Sequence, residues 1–412
     1  MEMEKDHNIA EEFNWKRNLI VLWCCVFLVC ASYTMVIPFL PLFLLTELEL
    51  PVSTAKMWSG GIIAITFVVA GIMAPFWGAR GDVIGQKKNA LRAGIGLSLC
   101  YFLSGMVSTP LQLLGVRLLT GIISGFVPAC MTMASSSLPE EKTGWGMGLM
   151  QTANFSGSIM GPLLGGLLSS WFGMRASFFV AATALLIATA AIYFMVHESK
   201  AAQVKDMATS VKPRDLFKDL QKELANKTLL YIMGIFAIIK ACTMVIQPLL
   251  TIYVSELLNG APEAISISGV ILSLAGIAGI IAAPFWGNQG QAYGYAKMLS
   301  LAMILAGITN IFQLYVNTIW MFAGVYFVYG LFLAGAAPNL LSYVVRSTEP
   351  HERGKAFGLT TSADQLGGAI GPLAGGFLGA YLAIGQILAL TGLVLILAGM
   401  HIYIRKVKIS HL

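Results

Sequence analysis

Charged side chains are scarce in this chain: they make up 11% of its 412 residues, against about a quarter in ordinary soluble domains. So few cannot cover two or three water-facing globules, and a soluble enzyme is excluded. Cysteine is sparse too. Its six copies (Cys24, Cys25, Cys30, Cys100, Cys130, Cys242) all lie inside apolar runs without metal-site spacing, which argues against zinc and disulfides. No Gly-x-x-x-x-Gly-Lys-Ser/Thr stretch is present to cradle nucleotide phosphates, so nothing points to ATP as a driving force. The net charge of +6 reflects where the basic residues sit and does not mark a nucleic-acid binder. What the chain has in abundance is apolar sequence, 57% of it.

Reading apolar runs between charges and turn residues gives twelve segments, near 18–46, 57–78, 89–108, 111–135, 144–171, 176–197, 227–258, 265–287, 294–316, 319–345, 354–381 and 385–405. Each is long enough to cross a bilayer, which takes about 20 apolar residues. The first run is too long for a signal-peptide core and is expected to stay as the first membrane helix. The one long polar stretch, 198–226, reads as a cytoplasmic linker with a short amphipathic helix over 213–225. With the N-terminus inside, 22 of the 26 Lys and Arg residues fall in cytoplasmic stretches, so the positive-inside rule places both termini in the cytoplasm.

The two halves repeat each other. Thr34-Met35-Val36-Ile37 recurs as Thr243-Met244-Val245-Ile246, Thr46-Glu47-Leu48 as Ser255-Glu256-Leu257, and Phe76-Trp77-Gly78 as Phe285-Trp286-Gly287. The expected architecture is all-α: twelve transmembrane helices in two pseudo-symmetric six-helix bundles, residues 1–197 and 227–412, joined by the 198–226 linker. Parallel repeats related by an axis along the membrane normal are a known transporter design, with the substrate site near the midplane between them.

Three local patterns stand out. The stretch from Gly78 to Lys88, read as the loop between the second and third helices, carries Asp82 at the membrane edge, where an acid needs a basic partner or a helix N-terminus. The fourth helix carries Arg117, about 10 Å deep at 1.5 Å per residue; a partner, a cavity, or snorkelling to the nearer interface would accommodate it. The fifth helix has Gly157, Gly161 and Gly165 at four-residue spacing, with Pro162 and Gly166. That makes a smooth face for close helix approach, and Gly367 to Gly376 repeat it in the eleventh helix around Pro372.

On these residues the chain resembles the major facilitator superfamily, and within it the bacterial twelve-helix drug:proton antiporters. Gly78, Asp82, Gly85 and Lys87 match the family's loop signature, Arg117 and Gly121 its fourth-helix signature, and Gly157, Gly161, Pro162, Gly165 and Gly166 its antiporter signature. The resemblance implies that Asp82 contacts the facing half and biases the outward-open state, and that Arg117 takes part in proton coupling. The match departs at Arg80, Val83 and Gln86, and the second-half loop lacks the acid, carrying Asn288, Gln289 and Gln291.

Two further charges lie deep in the second half: Lys240 in the seventh helix and Asp364 in the eleventh, both about 15–20 Å in. Asp364 is the only acid placed inside a helix. Scarcity and similar depth suggest an ion pair, either structural or a proton site whose protonation frees Lys240 or a substrate group. Tyr33, Gln151, Asn154, Gln247, Asn310, Gln313, Asn339 and Gln365 are polar at compatible depth, as cavity lining or as interhelical glue. The expected function is secondary active transport: proton-coupled efflux of amphipathic small molecules or drugs by alternating access, with no enzymatic activity and no cofactor beyond the proton gradient. The expected setting is the bacterial inner membrane, with small molecules and lipids as partners, no nucleic acid, and a monomer as the working unit. The alternatives are a carrier of one metabolite, organic anion or siderophore bound by Lys240, and a non-transporting membrane sensor or scramblase.

Overall fold

A computed structural model describes residues 15–37, 39–139, 143–197, 227–261, 263–347 and 353–409. The 198–226 linker lies outside the described residues, and so does the Asp82 side chain. Among the described residues the chain is all-helical. The first half contains α1 (Trp15–Met35), α2 (Leu40–Thr46), α3 (Val52–Ile84), α4 (Gln86–Met106), α5 (Pro110–Ile123), α6 (Phe126–Ser137), α7 (Thr143–Phe172) and α8 (Met174–Met195). The second half contains α9 (Lys227–Met244), α10 (Leu250–Leu257), α11 (Ala264–Tyr293), α12 (Tyr295–Ile311) with a 3-10 turn at Phe312–Tyr315, α13 (Ile319–Leu333), α14 (Ala336–Ser347), α15 (Arg353–Gly379) and α16 (Ile384–Ile409).

These helices form twelve spans, four of them broken: α1/α2, α5/α6, α9/α10 and α13/α14. Eight spans are long and apolar enough by themselves to cross a membrane. The other four are α4, with Lys87, Lys88 and Arg92 near its start; α7 and α15, rich in Gly, Ser and Thr; and α9, shortened by its break. The buried apolar side chains form one cluster between Leu19 and Val196, joined by Ile265, and another between Ile232 and Ile402.

The breaks were not anticipated, and in the spans α5/α6 and α13/α14 the first half-helix is held by matching side chains in both halves. Thr109 and Thr318 cap α5 and α13, each accepting a backbone N–H three residues on. At the other end, Trp77 Nε1 donates to the Ile122 carbonyl at 2.6 Å and Trp286 Nε1 to Leu331 at 2.9 Å. Asn89 and Asn339 donate to the Trp77 and Trp286 carbonyls. The repeated Phe-Trp-Gly therefore terminates a half-helix in each bundle. The stretch read as a loop from Gly78 is helical as far as Ile84, because Gly85 alone makes the turn: its φ of 94°, like the 99° of Gly294, suits glycine.

Glycine seams join the helices. An added Cβ on Gly157 or Gly161 would lie 2.6 Å from the Phe27 or Ala31 carbonyl of α1, and one on Gly165 would strike the Met35 carbonyl. In the second half Gly367, Gly371 and Gly375 meet the Ala237, Ala241 and Val245 carbonyls of α9 in the same order. Pro162 sits within α7 without ending it. Beside these seams, the halves touch each other at the end away from the termini. Gly60 of α3 approaches Gly376 and the Pro372 carbonyl of α15, and Gly269 of α11 approaches Gly166 and the Pro162 carbonyl of α7. Ser59 donates to the Pro248 carbonyl at 3.3 Å and Ser273 to Ile159 at 2.7 Å. Lys56, almost wholly buried, reaches Glu256 at 3.6 Å. Toward the termini the same faces carry exposed side chains: Gln151 and Phe155 on α7, and Ile280 on α11. The bundle is thus sealed at the far end.

Two outcomes follow for this packing. Gly161→Leu should lower the yield of folded protein or its unfolding temperature by the equivalent of about 1–3 kcal/mol of overpacking; unchanged melting would mean that α1 and α7 can part without cost. Lys56→Glu should open the far end, read as faster thiol labelling of Ser59→Cys from that side, and adding Glu256→Lys should reverse it. A half-exposed pair contributes about 0.2–1 kcal/mol, so a severalfold change in labelling is the ceiling. Equal labelling in single and double variants would show that the pair does not hold the seal.

Candidate functional site

The glycine seam between α9 and α15 positions the charged pair. A Cβ added at Gly367 would lie 2.7 Å from the Cβ of Lys240, so only glycine fits there. Asp364, one turn earlier on the same face of α15, lies with Oδ2 3.1 Å from Lys240 Nζ. The pair is only partly covered, with side-chain exposures of 27% for Lys240 and 41% for Asp364, on the termini side of the seal. At 3.1 Å the contact is longer than the strongest charge-assisted bonds, about 2.7–2.9 Å, and its partial exposure leaves room for a proton or a substrate group to reach it.

The corresponding place in the first bundle is neutral. There Cys30 packs against Gly157, and its thiol donates to Asn154 Oδ1 at 3.3 Å. The seam is shared by both bundles, and the charge is confined to one.

Arg117 lies in the first bundle, 6% exposed. Its guanidinium stands 5.2 Å from the Tyr101 ring centroid, and it lines a small cavity with Tyr33, Ile63 and Thr66 that has room for about one water molecule. Thr66 donates to the Arg117 backbone carbonyl at 3.3 Å. Tyr33 meets Phe67 edge-on at 6.3 Å, and Phe67 abuts Gly368 of α15 across the interface. Gly121 packs on Val69 and the Thr66 carbonyl, holding α5 against α3.

The remaining polar residues divide. Gln151 is exposed, and Tyr33, Asn154, Gln247 and Gln365 are half-buried. Gln365 lies beside Gly71 of the other half. Asn339 is fully buried, donating to Trp286 and Gly335 carbonyls, and Asn310 donates to Thr391 at 2.8 Å. Both are glue between helices; Gln313 is buried at the α12 end, and its side-chain amide has no hydrogen-bond partner among the described residues. Lys87 donates to the Tyr193 and Val196 carbonyls and so fastens α4 to the end of α8. Gly78 lies within α3. Arg92 was missed by sequence reading: its guanidinium stacks 3.2 Å from the Trp77 ring centroid and donates to the Ser124 carbonyl at the break of the fourth span. A cation seven residues into an apolar helix was the available signal.

Two six-helix bundles meeting around a partly charged interface, with glycine seams inside each, define a membrane transporter and not an enzyme. The family model of the Major Facilitator Superfamily matches residues 22–268 and 232–410. The chain belongs to that superfamily. It is 33% identical over 365 residues to the multidrug resistance protein MdtG of Salmonella dublin and equally to that of Salmonella typhi, covering 88% of each chain. Among solved structures, the nucleoside transporter NupG superposes with a TM-score of 0.76 at 15% identity, over 94% of this chain and 99% of that one. The human organic anion transporter MFSD10 gives 0.67 at 16% identity, over 94% and 99%.

Removing either member of the charged pair should hurt folding more than removing both. Lys240→Met leaves Asp364 unpaired, and breaking a fully buried pair costs about 3–5 kcal/mol; the partial exposure here reduces that toward the roughly 1 kcal/mol of a surface pair. The Lys240→Met/Asp364→Asn protein should therefore melt above Lys240→Met alone. A double variant less stable than both singles would mean that each side chain is held by other partners.

Proposed function

We propose that this chain exports amphipathic small molecules, drugs among them, in exchange for protons across a bacterial cytoplasmic membrane, by alternating access. The observation that carries this reading is the half-exposed Lys240–Asp364 pair on the termini side of a sealed far end. The relationship to MdtG supports the substrate class. The basic-residue count supports cytoplasmic termini, which makes the sealed end extracellular and the state inward-facing. Residues 18–197 then rock against 227–405, and the far-end contacts of Gly60, Gly269 and Lys56 must part for release outside.

In this scheme Asp364 takes the proton when Lys240 is drawn away, and returns it when the pair closes. Each proton entering supplies about 1.4 kcal/mol per pH unit and about 2.3 kcal/mol per 100 mV of membrane potential. Arg117 contributes a buried positive charge to the coupling. The chain works as a monomer and needs no cofactor beyond the gradient.

The test is drug uptake into everted vesicles with and without a protonophore. Wild-type uptake should collapse when the gradient is dissipated. Asp364→Asn should lose gradient-driven uptake while retaining downhill exchange. Normal coupled uptake by Asp364→Asn would remove the coupling role, and uptake insensitive to the protonophore would remove proton drive altogether.

A further inference from the structure

The cavity at Arg117 poses a separate electrostatic problem. Its Nε and Nη2 atoms are buried without a hydrogen-bond partner. The walls beside it are mostly apolar: Ile37, Leu40 and Ile63, with Tyr33 and Thr66 as the polar members. A cation in such surroundings is poorly screened, and its attraction for an opposite charge is several times that in water. Losing the proton is not open to a guanidinium. The carboxylates elsewhere do not meet it. Among the described residues Glu47 is bound to Arg175, Glu256 to Lys56 and Asp364 to Lys240. Asp82 lies sixteen residues from Thr66 along α3, about 24 Å at 1.5 Å per residue.

The fold itself does not require the charge. The span that carries Arg117 has Tyr326 at the matching place in the second bundle, reckoned from the Ile122 and Leu331 carbonyls that bind the paired tryptophans. Tyr326 is buried there beside Tyr329. The cavity also adjoins the interface, through Tyr33 and Phe67 to Gly368.

We propose that the Arg117–Tyr33–Thr66 cavity is an anion subsite, seating one anionic atom of a free halide or of the acid group of a carried molecule. The cavity admits a single atom of that size, with the rest of a carried molecule lying toward Phe67 and the interface. The site is distinct from the Lys240–Asp364 pair, and binding is read without transport, so this proposal and the export reading fail independently.

The experiment uses the purified full-length chain in a zwitterionic buffer at low ionic strength, free of chloride and of carboxylates. Its unfolding temperature is followed against benzoate, benzylamine, benzyl alcohol and chloride. Benzoate, chloride or both should raise it saturably, whereas benzylamine and benzyl alcohol should not. A benzoate response alone assigns the site to the acid group of a molecule, and a chloride response alone to a free ion. The shift should vanish in Arg117→Gln, weaken in Arg117→Lys and persist in Lys240→Met. Arg117→Gln without anion should melt no lower than wild type, since a lone buried charge has been removed. If it does not fold, Arg117→Lys carries the test through its weakened response. No anion response in the wild type, a response untouched at Arg117, or one lost equally in Lys240→Met would overturn the proposal.

Discussion

Close contact of backbone with backbone, at positions where no side chain fits, is the constraint on which this structure depends. Lipid gives apolar helices no reason to associate, so packing and small residues must hold them together. Here one helix in each bundle does so twice. The face of α7 with Gly157, Gly161 and Gly165 lies against α1, and its neighbouring edge at Pro162 and Gly166 lies against α11 of the other bundle. On α15, Gly367, Gly371 and Gly375 face α9 while Pro372 and Gly376 face α3. The seam within a bundle and the seam between bundles thus share a helix, which links the geometry within a bundle to the fit between bundles.

On this repeated frame the two halves spend their few charges differently. The repeated acid at the end of the first span of each bundle is Glu47 in one half and Glu256 in the other. Glu47 bonds to Arg175 at 3.0 Å within its own bundle, and Arg175 also donates to the Gly105 and Val107 carbonyls. The second bundle has apolar Ile384 near the place of Arg175, and Glu256 turns to Lys56 across the interface. The deep seam shows the reverse bias, neutral Cys30–Asn154 in the first bundle and charged Lys240–Asp364 in the second. Each asymmetry places an ionisable contact where one bundle meets the other or where a deep helix face is reached from the termini side.

Much of this was legible in the sequence. Twelve apolar runs gave twelve spans, because bilayer thickness fixes helix length and leaves little freedom. The glycine spacing gave the seams, because helical periodicity places every fourth residue on one face. Depth and scarcity brought Lys240 and Asp364 together, since two lone charges in adjacent helices have few other neighbours. The breaks in four spans were not legible. Two of them, after α5 and α13, depend on Trp77 and Trp286 reaching carbonyls 45 residues away in sequence, and a tryptophan in an apolar run looks like any lipid-facing one. The extent of α3 was misjudged for a related reason: Arg80 and Asp82 look like loop residues, but a helix running out of the membrane keeps its hydrogen bonds into the aqueous layer. Asn339 looked like cavity lining because polarity at depth does not say which way a side chain points.

The two deep cations also differ in kind, and the difference sorts their roles. An ammonium is a compact charge on a flexible stem, and Lys240 can leave one carboxylate for another partner within its reach. Arg117 is wedged between Tyr101 and the cavity wall and is almost fully buried, so it cannot follow a moving partner. A titratable acid facing a mobile cation makes an element whose charge state can change during a cycle. A fixed guanidinium facing a cavity makes an element whose charge never changes and whose surroundings must adjust. Placing the first in the second bundle and the other in the first separates them across the interface between the bundles. In the proposed transport cycle, rearrangement of the bundles, and not direct contact between the charges, is the physical route by which the state of one is felt at the other.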